Sequence, residues 1–195
     1  MKADIGSAAA TLTTPSLKVT VQHAPLRISF ANASGEILDA DDPGRGMSFA
    51  GSEFRIAKQL HVDDHVYGFG EKNGRLDKRG WQFGGYNYVM WNSDTPAYDS
   101  STDPLYADIP FFLVLRGGQA HGIFLDNTWR SFFDVGREQS NLLTFGADGD
   151  PLRQRSSVSG CCWSSFHPVG PLPNARCVWH NRGRCAANKP GRSAN

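Results

Sequence analysis

The chain has 195 residues, 39% hydrophobic and 20% charged, enough for one domain with its own core; a formal net charge of +1 by itself points to no class of partner. Its longest apolar run, Ile109 to Leu115, falls far short of the roughly 20 residues that cross a bilayer. The opening Met1-Lys2-Ala3-Asp4-Ile5-Gly6-Ser7 lacks the apolar stretch of a secretory signal, so a cytoplasmic protein with no membrane partner is expected.

Strand-like runs begin at Leu17, which leaves residues 1–16 as an expected flexible N-terminal segment. Leu17-Lys18-Val19-Thr20-Val21 and Leu26-Arg27-Ile28-Ser29-Phe30 alternate apolar and polar with period two, the pattern of strands with one wet face. Between Asn92 and Asp108 the sequence turns polar, rich in Asp, Ser, Thr and Pro, and reads as a long loop. Loops of that length inside a domain are usually functional or disordered, and Trp91, Tyr98 and Tyr106 argue against disorder. Phe111 to Arg116, Gly117-Gly118 and Gln119 to Leu125 form a hairpin pattern, the glycines supplying the positive φ of a tight turn. Trp129 to Val135 and Leu142 to Phe145 continue the series. Helical periodicity is nowhere sustained, so the fold class is all-β, an antiparallel β-sandwich spanning residues 17–150.

At Asp150 the composition changes. All 19 acidic residues lie at or before that position; residues 151–195 carry seven basic side chains, leaving 13 basic against 19 acidic before them. This stretch is expected to be a disordered basic tail. It also holds all four cysteines. Cys177, His180 and Cys185 with Cys161 and Cys162 offer soft ligands, but the adjacent Cys161-Cys162 misses the spaced pairs of zinc modules, so no metal site and no cofactor are expected. The basic and aromatic interleaving of a nucleic-acid module is missing too, and no nucleic-acid partner is expected.

Val66-Tyr67-Gly68-Phe69-Gly70-Glu71-Lys72, Leu76-Asp77-Lys78-Arg79-Gly80 and Met90-Trp91-Asn92-Ser93-Asp94-Thr95 resemble, in order, segments of the N-terminal domain of family 31 glycoside hydrolases of the α-glucosidase type. Asp103-Pro104-Leu105-Tyr106, Ile109-Pro110-Phe111-Phe112 and Gly122-Ile123-Phe124-Leu125-Asp126-Asn127-Thr128 continue the match. The resemblance implies a galactose-mutarotase-like sandwich packed against a (β/α)8 barrel, with the 92–108 loop reaching over the barrel's sugar site. The implied partner is an α-linked glucoside or related sugar. Asp94 is the implied substrate-binding residue, a carboxylate able to accept two charge-assisted bonds from sugar hydroxyls. A local alternative is a turn-capping Asp bonded to its own backbone.

The chain also departs from the family. Retaining enzymes of this kind place two carboxylates about 5 Å apart in the barrel. Their nucleophile lies in a Trp-x-Asp motif, and none of Trp81, Trp91, Trp129, Trp163 and Trp179 is followed by Asp two places on, so no catalytic residue is expected here. After Asp150 the family's apolar strand gives way to Arg/Ser/Cys-rich sequence, a switch that a frameshift would produce. The expected function is an accessory carbohydrate domain, truncated before its barrel. Two other readings stand beside it: a free-standing aldose epimerase-like protein using His65, Glu71 and His121 for acid–base chemistry, and a basic interaction protein acting through its tail. The purified chain is expected to leave aryl α-glucosides unhydrolysed above the uncatalysed rate. Release of the aryl alcohol that disappears on mutating one Asp or Glu of this chain would contradict that expectation.

Overall fold

The computed structural model describes residues 1–80 and 87–149 and, beyond them, the backbone of 154–158, 162–169 and 176–180. The described residues contain strands and no helix. β1 (Lys2–Ile5), β2 (Ala9–Thr13), β3 (Leu17–Gln22), β4 (Arg27–Asn32) and β5 (Ile37–Ala40) form a first sheet in sequential order. β6 (Met47–Ala50) and β7 (Glu53–Gln59) open a second sheet, and β8 (His65–Gly70) starts a third. The chain returns to the second with β9 (Tyr88–Met90), to the third with the β10 (Asp108–Arg116) and β11 (Gln119–Leu125) hairpin, and to the second with β12 (Ser131–Val135) and β13 (Leu142–Ala147). β14 (Gln154–Val158), β15 (Cys162–Val169) and β16 (Arg176–His180) extend the third sheet outward from β11. All pairings are antiparallel, as a sandwich of hairpins requires.

Strands also occur in two stretches where the sequence shows no strand pattern. Residues 2–13, inside the segment expected to be flexible, pair as β1 and β2 from Lys2 opposite Thr13 to Ile5 opposite Ala10, and β2 pairs onto β3. Every residue of β1 is exposed and none of β2 is fully buried, so neither strand has a dry face that demands an apolar residue at alternate positions. In the expected disordered tail, the structure describes the backbone of β14 to β16, while the other residues after Gly149 lie outside the described ones. β14 pairs with the outer edge of β11, whose unpaired N–H and C=O groups accept an extended segment whatever its side chains.

The second and third sheets face each other across one core. Phe54 and Ile56 of β7, Phe133 and Val135 of β12 and Phe145 of β13 meet Val66 and Phe69 of β8, Phe112 of β10 and Ile123 and Leu125 of β11. At its centre the Phe69, Phe112, Phe133 and Phe145 rings stack or meet edge-on at centroid distances of 5.0–6.1 Å. Phe69 should not point there. Val66 is buried, and a residue three places on faces the opposite side of a regular strand. The backbone reverses that parity: Gly68, Phe69 and Gly70 all have positive φ, at 124°, 71° and 75°, and Phe69 turns inward beside Val66. A Cβ on Gly68 would sit 2.6 Å from the Phe111 carbonyl and one on Gly70 2.3 Å from that of Ala107. Only glycine permits both the conformation and the close approach of β8 to β10.

The first sheet has a smaller core of Val19, Val21, Ile28 and Phe30, and Met47 packs against both cores. A buried ion cluster ties this sheet to the sandwich. Lys58 of β7 is 2% exposed and donates to Asp39 at 2.7 Å and Asp41 at 2.9 Å, and Asp41 in turn accepts the Ile28 amide at 2.7 Å. Burial alone would lower the Lys58 pKa, but the two carboxylates hold it above its ordinary range. Burial raises Asp41 despite its cationic neighbour. Taking away one partner of such a group strands the others without solvent. Lys58→Met is therefore expected to lower the unfolding free energy by about 3–5 kcal/mol, read from the urea midpoint. An unchanged midpoint would show that the cluster contributes nothing to holding the sheets together.

Candidate functional site

The loop between β9 and β10 is anchored by Lys72, two residues past the Gly68-Phe69-Gly70 turn. Its side chain is 1% exposed, and its ammonium donates to the Val89 carbonyl at 2.6 Å, forms an ion pair with Asp108 at 2.6 Å, and donates to Asp103. The two carboxylates pass the restraint to the backbone. Asp103 accepts the Val89 amide at 2.8 Å and Asp108 the Trp91 amide at 3.2 Å. Asn92 accepts the Asp108 amide, and the Ser93 amide donates to the Leu105 carbonyl. Asn73, next to Lys72, donates to the carbonyls of Asp99 and Thr102. Burial raises the Asp108 carboxyl above its usual range, while the Lys72 ammonium opposes the shift.

The tip of the loop is wet. Asp94 is exposed, and its carboxylate accepts no hydrogen bond from the described residues. The turn bond of the local alternative is missing, since Pro96 has no N–H and the Ala97 amide does not reach back. Tyr106 donates to the Thr95 carbonyl and meets Tyr98 edge-on at 6.0 Å. Desolvation, and after it the Asp94 charge, push the Tyr106 phenol above its ordinary value. An exposed carboxylate without a partner among the described residues thus stands on a loop that a buried cation holds in place.

Below the loop, where β9, β10 and β12 leave the end of the sandwich open, lies a cleft of about 380 Å³. Trp91 and Trp129, each 54% exposed, flank it, and Met90 and Ser131 form its floor.

The residues of the epimerase reading do not converge. His65, on an exposed face, bonds Asp77 at 2.7 Å; burial would raise the Asp77 carboxyl, but that bond and the amides of Arg79 and Val66 hold it below its usual range. His121 lies between sheets, 13% exposed, with Asp39 at 3.9 Å, and burial lowers its pKa. The proposed zinc ligands Cys161, Cys162, Cys177, His180 and Cys185 fall outside the residues whose side chains are described. Among the described residues, no cluster of His, Cys, Asp and Glu is arranged to hold a metal. Sequence reasoning passed over Lys72 and Ser131. A lysine directly after Gly-Phe-Gly-Glu, with two carboxylates bracketing the end of a polar loop, was the available signal for the first.

A model of the glycosyl hydrolase 31 N-terminal galactose mutarotase-like domain matches residues 4–134. Alpha-glucosidase 2 of Bacillus thermoamyloliquefaciens is 40% identical over 144 residues, covering 73% of this chain and 17% of that protein. An alpha-glucosidase of Saccharolobus solfataricus is 37% identical over 89 residues, 46% of this chain and 12% of its own. The GH31 dextranase of Flavobacterium johnsoniae, solved in complex with glucose, superimposes with a TM-score of 0.71 at 30% identity, covering 82% of this chain and 19% of that one. The chain therefore spans less than a fifth of the length of each.

If Lys72 anchors the loop, its loss should free the loop before the sandwich. Lys72→Met is expected to speed amide exchange at Ser93 and Asp108 by about tenfold or more, while the Phe133 and Phe145 amides slow to exchange only through global unfolding keep their rank. Equal acceleration across loop and core would show that Lys72 is a general stabiliser.

Proposed function

The chain belongs to the family of glycosyl hydrolase 31 N-terminal galactose mutarotase-like domains, and from that membership we propose that it is an accessory carbohydrate domain whose 92–108 loop lends Asp94 to the sugar site of an α-glucosidase-type catalytic barrel. The observation that carries this reading is the unpartnered Asp94 carboxylate, presented on a loop that buried charges hold in place. A loop ordered before the sugar arrives loses little conformational entropy on binding it. The sugar in this reading is an α-linked glucoside or a related saccharide, in keeping with the alpha-glucosidases and the glucose-bound dextranase that the chain resembles.

The module runs to about Asp150, and residues 151–195 take no part in sugar recognition. It works in the cytoplasm on a soluble sugar, without nucleic-acid or membrane partners; no helix among the described residues is long and apolar enough to cross a membrane. The chemistry of bond cleavage belongs to the barrel. This domain contributes hydroxyl contacts, which act on binding and on the transition state together.

The test uses an enzyme in which this domain is joined in frame to a family 31 barrel. Asp94→Ala should lower kcat/KM by about tenfold or more, since charge-assisted bonds shielded from water contribute about 1.5–3 kcal/mol each, with the melting temperature nearly unchanged. A variant that keeps kcat/KM within about twofold, a change of about 0.4 kcal/mol, would make the loop scaffolding.

A further inference from the structure

The cleft beneath the loop carries features that the Asp94 reading does not use. Its floor includes Ser131, at the start of β12 and on the same face as the core residue Phe133. Ser131 is 1% exposed, and its Oγ has no hydrogen-bond partner. That hydroxyl is closed off from the cleft, so the polar groups a ligand can reach are those on the rim.

The polar groups around it are partly committed. Asn127 accepts the Trp129 amide at 2.7 Å and donates to the Gly149 carbonyl at 3.1 Å. Asn92 uses its carbonyl oxygen on the Asp108 amide at 2.8 Å, and its amide nitrogen stays free, as does the Thr128 hydroxyl. Two groups without a hydrogen-bond partner among the described residues, Asn92 Nδ2 and Thr128 Oγ1, therefore stand on the rim of one cleft. Trp129 is set in place from behind. A Cβ on Gly149 would lie 2.8 Å from the indole, so the absence of a side chain there lets the ring lie against the backbone while more than half of the residue faces solvent.

An apolar ligand would leave the hydroxyl and the amide unpaired, and an anion would meet the Asp108 carboxylate on the lining. A neutral ring with C–H bonds on its face and hydroxyls around its rim satisfies both kinds of surface. The volume of about 380 Å³ lies at the small end of small-molecule sites and suits one or two such rings. We infer that the Trp91–Trp129 cleft is a saccharide-binding site of this domain itself, in which a pyranose ring packs against the Trp129 indole and its hydroxyls bond Asn92 and Thr128. The site is independent of Asp94 and of any catalytic barrel.

The 195-residue chain is titrated with maltotriose by calorimetry, with glucose as the single-ring comparison. Saturable binding with a Kd of about 1 mM is expected, a free energy of about −4 kcal/mol. Trp129→Ala should weaken it about tenfold or more, Thr128→Ala by a smaller factor, and Asp94→Ala should leave it within about twofold. Trp91→Ala serves as a second aromatic variant, and thermal melting establishes that each variant is folded. Absence of saturation by about 50 mM sugar, roughly fifty times the expected Kd, would overturn the inference. So would unchanged binding in a folded Trp129→Ala or Trp91→Ala chain, or loss of binding in Asp94→Ala. None of these results bears on kcat/KM in the barrel-joined enzyme, so the two readings fail separately.

Discussion

The geometry of the candidate site depends on one buried ammonium group. Lys72 sits between Asp103 and Asp108 with almost no solvent contact, and each carboxylate also accepts a backbone amide from the strand where the loop begins. One cation thus fixes the start and the end of a long polar segment. An isolated surface pair would be worth little, but Lys72 and Asp108 have no water to fall back on, and opening the loop would leave at least one of them unpaired in the interior. Lys72 reaches this position because the chain has just passed through Gly68-Phe69-Gly70, whose left-handed backbone seats Phe69 in the core and ends β8 against β10.

The core and the loop therefore share a joint. Phe69 packs against Phe112 and Phe133, the adjoining Gly70 presses on the Ala107 carbonyl at the end of the loop, and the Glu71 amide donates to that same carbonyl. On the far side of the molecule a second buried cation, Lys58, connects the small first sheet to the sandwich through Asp39 and Asp41. The two clusters differ in what they hold: Lys58 joins sheets, whereas Lys72 positions an irregular segment that has no ladder of its own.

Period-two alternation made β3, β4 and the β10–β11 hairpin legible, because Val19, Val21, Ile28 and Phe30 form one dry face and Gly117-Gly118 leaves no other fold for the turn. The same signal could not reveal β1 and β2, which bury no face, nor β14, which pairs with an edge. It also misplaces Phe69, where three consecutive positive φ values invert the parity that alternation assumes. The 92–108 loop was legible in its polar composition, and family resemblance singled out Asp94 on it. The means of holding them was not: the lysine is 31 positions from one carboxylate in sequence, and no local pattern records that separation. Ser131 escaped for a related reason, since a serine at the start of a strand looks ordinary until the structure shows that its hydroxyl is buried without a partner.

The separation between a fixed base and a wet tip bears on how such a domain can change over evolutionary time. Asp94, Pro96 and Ser100 are exposed and make no hydrogen bond or ring contact among the described residues, so replacements there disturb no packing and should usually shift stability by no more than about 0.5 kcal/mol. Replacements at Gly68, Gly70, Lys72, Asp103 or Asp108 meet carbonyl oxygens or buried charge at once. The tip is free to explore new contacts while the base filters out almost everything, so the outer surface of the loop can diversify by drifting at a handful of exposed positions without first acquiring stability to spare.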